Sequence, residues 1–263
     1  MRQSVLALIL VVALVTSGCA GVLGPSRAPS DERAVDAVDR SRVALANVTS
    51  YRASFDGRVE ATGDGEQVTV TVTGDVVVDV AARKMNATGE TEDASHATGP
   101  AFDPTQSTYV DGYTASIECS RVGWARQNLS TDHPWTTYTP AGQQLALLNR
   151  TNVYWRGTET VDGTETAVVV AYPTEEELGS VPGIEGRGAA DFGDANLENA
   201  TVTVWLDTET DRPVRARREI RASRGGSTAT AVSTFRFTDY DEPTTVTKPE
   251  FGGSHWEPGC PGS

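Results

Sequence analysis

An α+β fold, with an antiparallel sheet that is strongly curved or barrel-like and a few helices beside it, is what this 263-residue chain predicts. Three observations carry that expectation. Apolar and polar residues alternate with the strand period through Tyr51–Ala61, Val68–Val72, Val76–Val80 and Val202–Leu206. Turn-forming groups punctuate these runs at short intervals, among them Gly63-Asp64-Gly65, Asp111-Gly112, Asp162-Gly163 and Gly225-Gly226. Helical signals are confined to short stretches, and connections this brief join antiparallel neighbours, because a parallel crossover needs about a dozen residues or more.

The chain opens with Met1-Arg2, an apolar run from Val5 to Val15, and Thr16-Ser17-Gly18-Cys19. The run has the length of a signal-peptide core and is too short to span a bilayer. Small residues leading into a cysteine resemble the lipobox of prokaryotic lipoproteins, which makes residues 1–18 a lipoprotein signal peptide and Cys19 the lipid attachment point. An ordinary secretory signal with a chance cysteine reads the same way. Each buried methylene contributes about 0.8 kcal/mol, so two long acyl chains hold a soluble domain on a membrane. The expected location is extracellular, on the outer face of the cytoplasmic membrane. Residues 19–30, rich in Gly, Ala, Pro and Ser, then form a flexible leash, residues 31–250 a single domain, and residues 251–263 a C-terminal tail.

Within the domain, Ser30 is the expected N-cap of a helix carrying Ala34, Ala37, Val38, Ser41, Ala44, Leu45 and Val48 at helical spacing, with Asp31 and Glu32 in its electropositive first turn. The strand from Tyr51 follows, paired across Gly63-Asp64-Gly65 with the Val-Thr alternation from Val68. Gly74 interrupts that alternation and reads as a bulge in one long strand; a hairpin turn also fits. Residues 81–84 turn into a strand through Met85, and Thr91 to Gln106 forms an aperiodic loop. Tyr109 to Thr114 reads as a hairpin with Asp-Gly in a type I′ turn. Pro140 after Thr139 starts a helix with Leu145, Leu147 and Leu148 on its apolar side, and Pro173-Thr174-Glu175 starts another. Gly179 to Asp194 is a Gly-rich loop, and the last third is a meander of strands.

Charge and cysteine content narrow the class. Thirty-six acids against 20 Arg and two Lys, Lys84 and Lys248, give a net charge of -14. Such a balance looks like the proteome style of salt-loving archaea, where concentrated salt screens carboxylates within about 3 Å at 1 M. A charge this negative argues against nucleic acid. With Cys19 lipidated, Cys119 and Cys260 remain as an even pair in an oxidising compartment, and their disulfide would tie the tail to the body. Two free buried thiols are the alternative. Five of the seven Asn residues, Asn47, Asn86, Asn128, Asn149 and Asn199, lie in Asn-x-Ser/Thr sequons, more than the Ser/Thr content produces by chance, so N-glycosylation is expected. Asn47 and Asn149 also fall where a helix would end, a place that suits Asn as a cap.

No catalytic motif is present: the sequence has no Gly-x-Ser-x-Gly, His-Glu-x-x-His or phosphate-cradling loop, and its histidines, His96, His133 and His255, are scattered. The expectation is a non-enzyme with no cofactor and no metal. Asp207, Glu209 and Asp211 lack the Gly and distal Glu of a calcium loop. Arg215, Arg217 and Arg221 share one strand face and Arg218 lies opposite; pairing with acids on neighbouring strands is the plain reading, and an anionic head group or membrane surface the functional one.

Trp205-Leu206-Asp207-Thr208-Glu209-Thr210-Asp211-Arg212-Pro213-Val214-Arg215 resembles the strand-turn-strand of the outer-membrane lipoprotein carrier superfamily and of mycobacterial lipid-carrying lipoproteins. Phe235 to Pro243 with Lys248-Pro249-Glu250 is similar to their closing strand and exit, and the opening helix followed by Thr49 to Phe55 to their start. The chain is also similar in style to lipoproteins of halophilic archaea. The resemblance implies an open antiparallel half-barrel wrapped around helices, with a variable apolar cavity in place of a fixed polar site. A lipid or other apolar small molecule is then the expected partner, in a pocket whose candidate lining is Tyr51, Phe55, Val59, Phe235 and Phe237. The alternatives are a structural or interaction lipoprotein with a filled core, whose protein partner the sequence does not name, and a hydrolase that would need converging His, Asp and Ser side chains.

Overall fold

A computed structural model describes residues 28–63, 66–92, 105–119, 123–183 and 195–256. Cys19, Cys260, His96 and most of the Gly-rich stretch after Gly179 lie outside the described residues. Helix α1 (Glu32–Ala46) leads into β1 (Ser50–Gly63), β2 (Glu66–Asp79), β3 (Lys84–Glu92), β4 (Thr105–Asp111), β5 (Thr114–Cys119) and β6 (Gly123–Asn128). A 3-10 turn at Trp135–Tyr138 and helix α2 (Pro140–Leu148) follow, then β7 (Val153–Val161), β8 (Thr164–Ala171) and the single-turn α3 (Glu175–Gly179). The chain closes with β9 (Asn196–Asp207), β10 (Pro213–Arg224), β11 (Ser227–Thr238) and β12 (Ser254–Trp256). Among the described residues these strands form one curved sheet in the order β12-β6-β5-β4-β3-β2-β1-β11-β10-β9-β8-β7, open because β7 and β12 end at opposite edges.

The antiparallel meander agrees with the sequence, with one exception: β12 runs parallel to β6, a pairing that a distant tail can make without a crossover of the usual kind. Several local expectations shift. The N-cap of α1 is Asp31, whose carboxylate accepts from the Arg33 N–H at 2.9 Å. Ser30 is committed elsewhere, since its hydroxyl accepts from the Val153 N–H at 3.2 Å and donates to Asn152 at 3.3 Å, tying the chain to the start of β7. No bulge forms at Gly74, because β1 and β2 keep an unbroken register from Ser50↔Asp79 to Gly63↔Glu66. Glycine stands there for clearance: a Cβ would sit 2.5 Å from the Phe55 ring and 2.1 Å from the Thr88 carbonyl oxygen. The hairpin at Asp111 closes one residue later than expected. Asp111 pairs with Thr114, the loop is Gly112-Tyr113, and the positive φ falls on Gly112 as the first loop residue, the type II′ arrangement.

The helix signals place α2 and α3 as read. Thr139 caps α2 through the Gly142 N–H at 3.4 Å, with Pro140 in its first turn, and Thr174 with Glu177 completes a capping box on α3. Asn47 and Asn149 end α1 and α2 as C-caps. The face of α1 that enters the core is built from small residues, Ala34, Ala37, Val38 and Ser41 with Leu45, so this helix lies close to α2, β7 and β8. Helix α2 adds Leu145, Leu147 and Leu148, and the sheet supplies Tyr51, Val78, Val110, Val169, Val202, Val204 and Leu206 to the same core. Burial of each such large aliphatic side chain contributes about 1.5–3 kcal/mol.

The tail is held by aromatic contacts as well as by β12. Trp124 of β6 stacks on His255 at 4.2 Å between ring centroids and on Phe251 at 5.7 Å. At Gly123 a Cβ would fall 1.8 Å from the Ser254 carbonyl oxygen, so only glycine lets β12 approach this closely.

Candidate functional site

Strand alternation sorts the sheet into an inner face, covered in part by α1 and α2, and an outer face. The register across five strands aligns inner-face positions in rows. One row runs Val204, Ala216, Phe235, Phe55, Gly74; the next Val202, Arg218, Ser233, Gly57, Val72; the next Ala200, Ile220, Ala231, Val59, Val70. All five candidate lining residues of the sequence reading lie on this face, and their surroundings divide them. Tyr51 and Phe237 are 0% and 4% exposed and pack into the core, Tyr51 with its ring centroid 6.1 Å from Phe237 and 5.6 Å from Tyr240. Phe55, Val59 and Phe235 are half-buried, with Phe55 and Phe235 in contact at 5.8 Å between centroids.

Tyr51 also joins the sheet to α2, because its hydroxyl accepts from the Ala141 N–H at 3.3 Å, one of the donors a helix start leaves without an internal partner. Burial pushes its phenol pKa well above the ordinary value, as it does for Tyr240.

Arg218 lies in the inner file of β10, between Ala216 and Ile220. Its Nη2 donates to Gln144 Oε1 of α2 at 3.3 Å, while its Nε and the Gln144 Nε2 are shielded from solvent and have no hydrogen-bond partner. Gln144 itself is 1% exposed. Burial pushes the Arg218 pKa down to about 10, which leaves it charged at neutral pH. Three further arginines of β10 point outward and each meets an acid: Arg215 with Glu159 at 3.1 Å, Arg217 with Glu219 at 2.8 Å and Arg221 with Glu198 at 2.6 Å. The plain reading of that outer trio, pairing with acids, is what the structure has. Arg215 also lies 4.0 Å over the Trp205 ring.

Two depressions lie elsewhere. One of about 400 Å³ opens on the outer face of β1, β2 and β3, lined by Ser54, Asp56, Thr73, Asp75 and Glu90 with Arg236, and touches Phe55 at its edge. The other, of about 290 Å³, lies between α1 and α2 and is lined by Arg42, Leu45, His133, Thr136, Leu145 and Arg150. Tyr51, Val59, Phe235 and Phe237 line neither. Among the described residues no group of three His, Cys, Asp or Glu is placed to hold a metal ion. His133 borders the second depression and His255 stacks at the β6 edge. Of the sequons, Asn47, Asn128, Asn149 and Asn199 are exposed, whereas Asn86 is half-buried and donates to the Thr247 carbonyl at 3.4 Å. Cys119 is buried at the end of β5. Gln144 is the residue the sequence reading passed over; a lone amide on the leucine-rich side of a helix was its available signal.

No protein-family model matches this sequence, and no curated protein does either. Among solved structures, the chain is similar to the lipoprotein LppX of Mycobacterium tuberculosis, at 20% identity and a TM-score of 0.47 over 83% of this chain and 100% of that one. It is similar to LprF of Mycobacterium bovis at 12% identity and a TM-score of 0.42, over 84% and 99% of the two chains. A putative outer membrane lipoprotein-sorting protein domain from Vibrio parahaemolyticus aligns at 11% identity and a TM-score of 0.31, over 78% and 93%.

Proposed function

We propose that this chain is a lipid-anchored cell-surface module that binds a lipid or other apolar ligand on the inner face of its sheet and catalyses no reaction. One observation carries the reading: Phe55, Val59, Ala231 and Phe235 form an apolar strip on the inner face that stays half-buried, whereas Tyr51, Phe237, Val202 and Val204 on the same face are sealed into the core. A strip of this kind, next to small inner residues such as Gly57 and Ser233, suits a hydrocarbon chain.

The anchor at Cys19 rests on the lipobox-like front of the chain. The disulfide between Cys119 and Cys260 is supported by register, because Cys119 pairs with Gly123 and Gly123 with Ser254, which brings the tail to the strand beside Cys119. Glycans suit the exposed Asn47, Asn128, Asn149 and Asn199, while Asn86 is too enclosed by its Thr247 contact to carry one. The acidic surface fits a salty exterior.

Native mass spectrometry of the full chain, extracted gently in concentrated salt, tests the ligand claim. A bound lipid mass that is lost on solvent extraction is the expected result, and repeated absence of any co-purifying apolar molecule overturns it. A structural or interaction lipoprotein is the second reading, favoured by the exposed side chains of Val43 and Trp256, and that absence would leave it standing.

A further inference from the structure

We propose that the Arg218 guanidinium, with the Gln144 amide beside it, seats the oxyanion head group of an amphiphilic ligand, a carboxylate or a phosphate ester, whose hydrocarbon part lies along Phe55, Val59 and Phe235. This assignment rests on the inner-face binding reading and names the ligand class for it.

The argument begins with an unbalanced charge. Arg218 is half-buried with its Nε shielded from solvent, and a cation so placed without a counter-ion is disfavoured unless a partner meets it; a planar guanidinium presents five N–H donors. Among the described residues Arg218 has the Gln144 oxygen and no carboxylate, although 36 acids are present in the chain and each of its three outward neighbours on β10 has found one. Burial alone accounts for the lowered affinity of Arg218 for its proton, with no anion in play. The unused donors are the right ones: Arg218 Nε, which with one Nη forms the fork that grips two oxygens of an oxyanion, and Gln144 Nε2 next to it.

The side chains on the same row are small. Ser233 and Gly57 occupy the inner positions beside Arg218 on β11 and β1, and a Cβ built on Gly57 would meet nothing nearer than 3.7 Å. The rows on either side carry Phe235 with Phe55 and Ala231 with Val59. A head group at Arg218 would therefore have small residues beside it and apolar rows on either side along which the attached chain can lie. A purely structural tie between β10 and α2 would use the Arg218 to Gln144 bond and leave no reason for ligand selectivity.

Calorimetric titration of the full chain with decanoate, decyl phosphate and decanol separates the two. The wild type is expected to bind both anions at least about tenfold more tightly than decanol, the size of one charged hydrogen bond. Arg218→Met should bring the anion-to-decanol ratio to within about twofold, Arg218→Lys should keep part of it as a point charge, and Gln144→Leu should reduce it. The stronger of the two anions in the wild type identifies a carboxylate or a phosphate source. Decanol binding as tight as the anions, or a ratio that survives both Arg218→Met and Gln144→Leu, overturns the head-group seat while the apolar binding reading stands. Failure of all three probes to bind overturns both. Should Arg218→Met not fold, the Arg218→Lys and Gln144→Leu ratios still decide the matter.

Discussion

Tyr51 joins three layers of the molecule through one side chain. Its backbone opens β1, its ring packs on Phe237 and Tyr240, and its hydroxyl takes the Ala141 N–H at the start of α2. Removing that hydroxyl leaves a buried amide unpaired, so Tyr51→Phe is expected to lose about 1–3 kcal/mol in urea unfolding near neutral pH. The pH dependence follows from burial. The folded phenol keeps its proton above the ordinary pKa, whereas an unfolded tyrosine ionises near pH 10, so beyond about pH 10 the unfolded state holds fewer protons and stability falls as pH rises. Unfolding curves taken from about pH 9 to 12 should show that loss in the wild type and a shallower one in Tyr51→Phe; parallel curves would sink the explanation. Arg218 is the counterpart at this scale, a half-buried cation whose Nη2 donates to Gln144 while its shielded Nε has no partner.

Among the elements, the long strands β1, β2, β10 and β11 form the rigid middle of the sheet, and their register positions the inner-face rows. The opposite condition holds at the edge, where β12 contributes three residues and depends on close backbone approach at Gly123. Gly123→Ala should push Ser254 away and release β12 while leaving the middle strands paired. Hydrogen exchange read by mass spectrometry is the check: amides of residues 254–256 should exchange at least about tenfold faster, and those of β1 and β11 at their former rate, since local opening and global unfolding are separate events. Unchanged protection at 254–256 would show that the stacking of Trp124 on His255 and Phe251 holds the tail without β12.

At the scale of the whole molecule, the net charge of -14 sits on a sheet with two edges and one partly covered face. Self-repulsion on such a surface opposes compaction, and salt at about 1 M shortens its range to about 3 Å. The melting temperature should therefore rise by at least several degrees between about 0.1 M and 2 M potassium chloride; a flat or falling profile would remove the salt-adapted reading of the composition. Because the Arg218 Nε is shielded from solvent, the anion preference proposed for it should survive this salt better than any interaction of the outer arginines, which lie in pairs open to solvent.

The alternation of Val, Ala and Thr, the turn pairs and the proline-marked helix starts were enough to determine the antiparallel meander, α1 to α3 within a residue or two, and which strand face turns inward. These are local properties, fixed by the two-residue strand period and by backbone preferences that each short segment carries with it. Position along the chain could not tell Tyr51 from Phe55, since both are inward aromatics on one strand, and only the reach of α1 and α2 over the sheet seals the first and leaves the second half-buried. Gly74 looked like a break because its reason, the Phe55 ring, lies on the neighbouring strand. Likewise the parallel edge strand and the meeting of Arg218 with Gln144 join residues far apart in sequence, and contacts of that kind are set by how the elements pack, which no short stretch encodes alone.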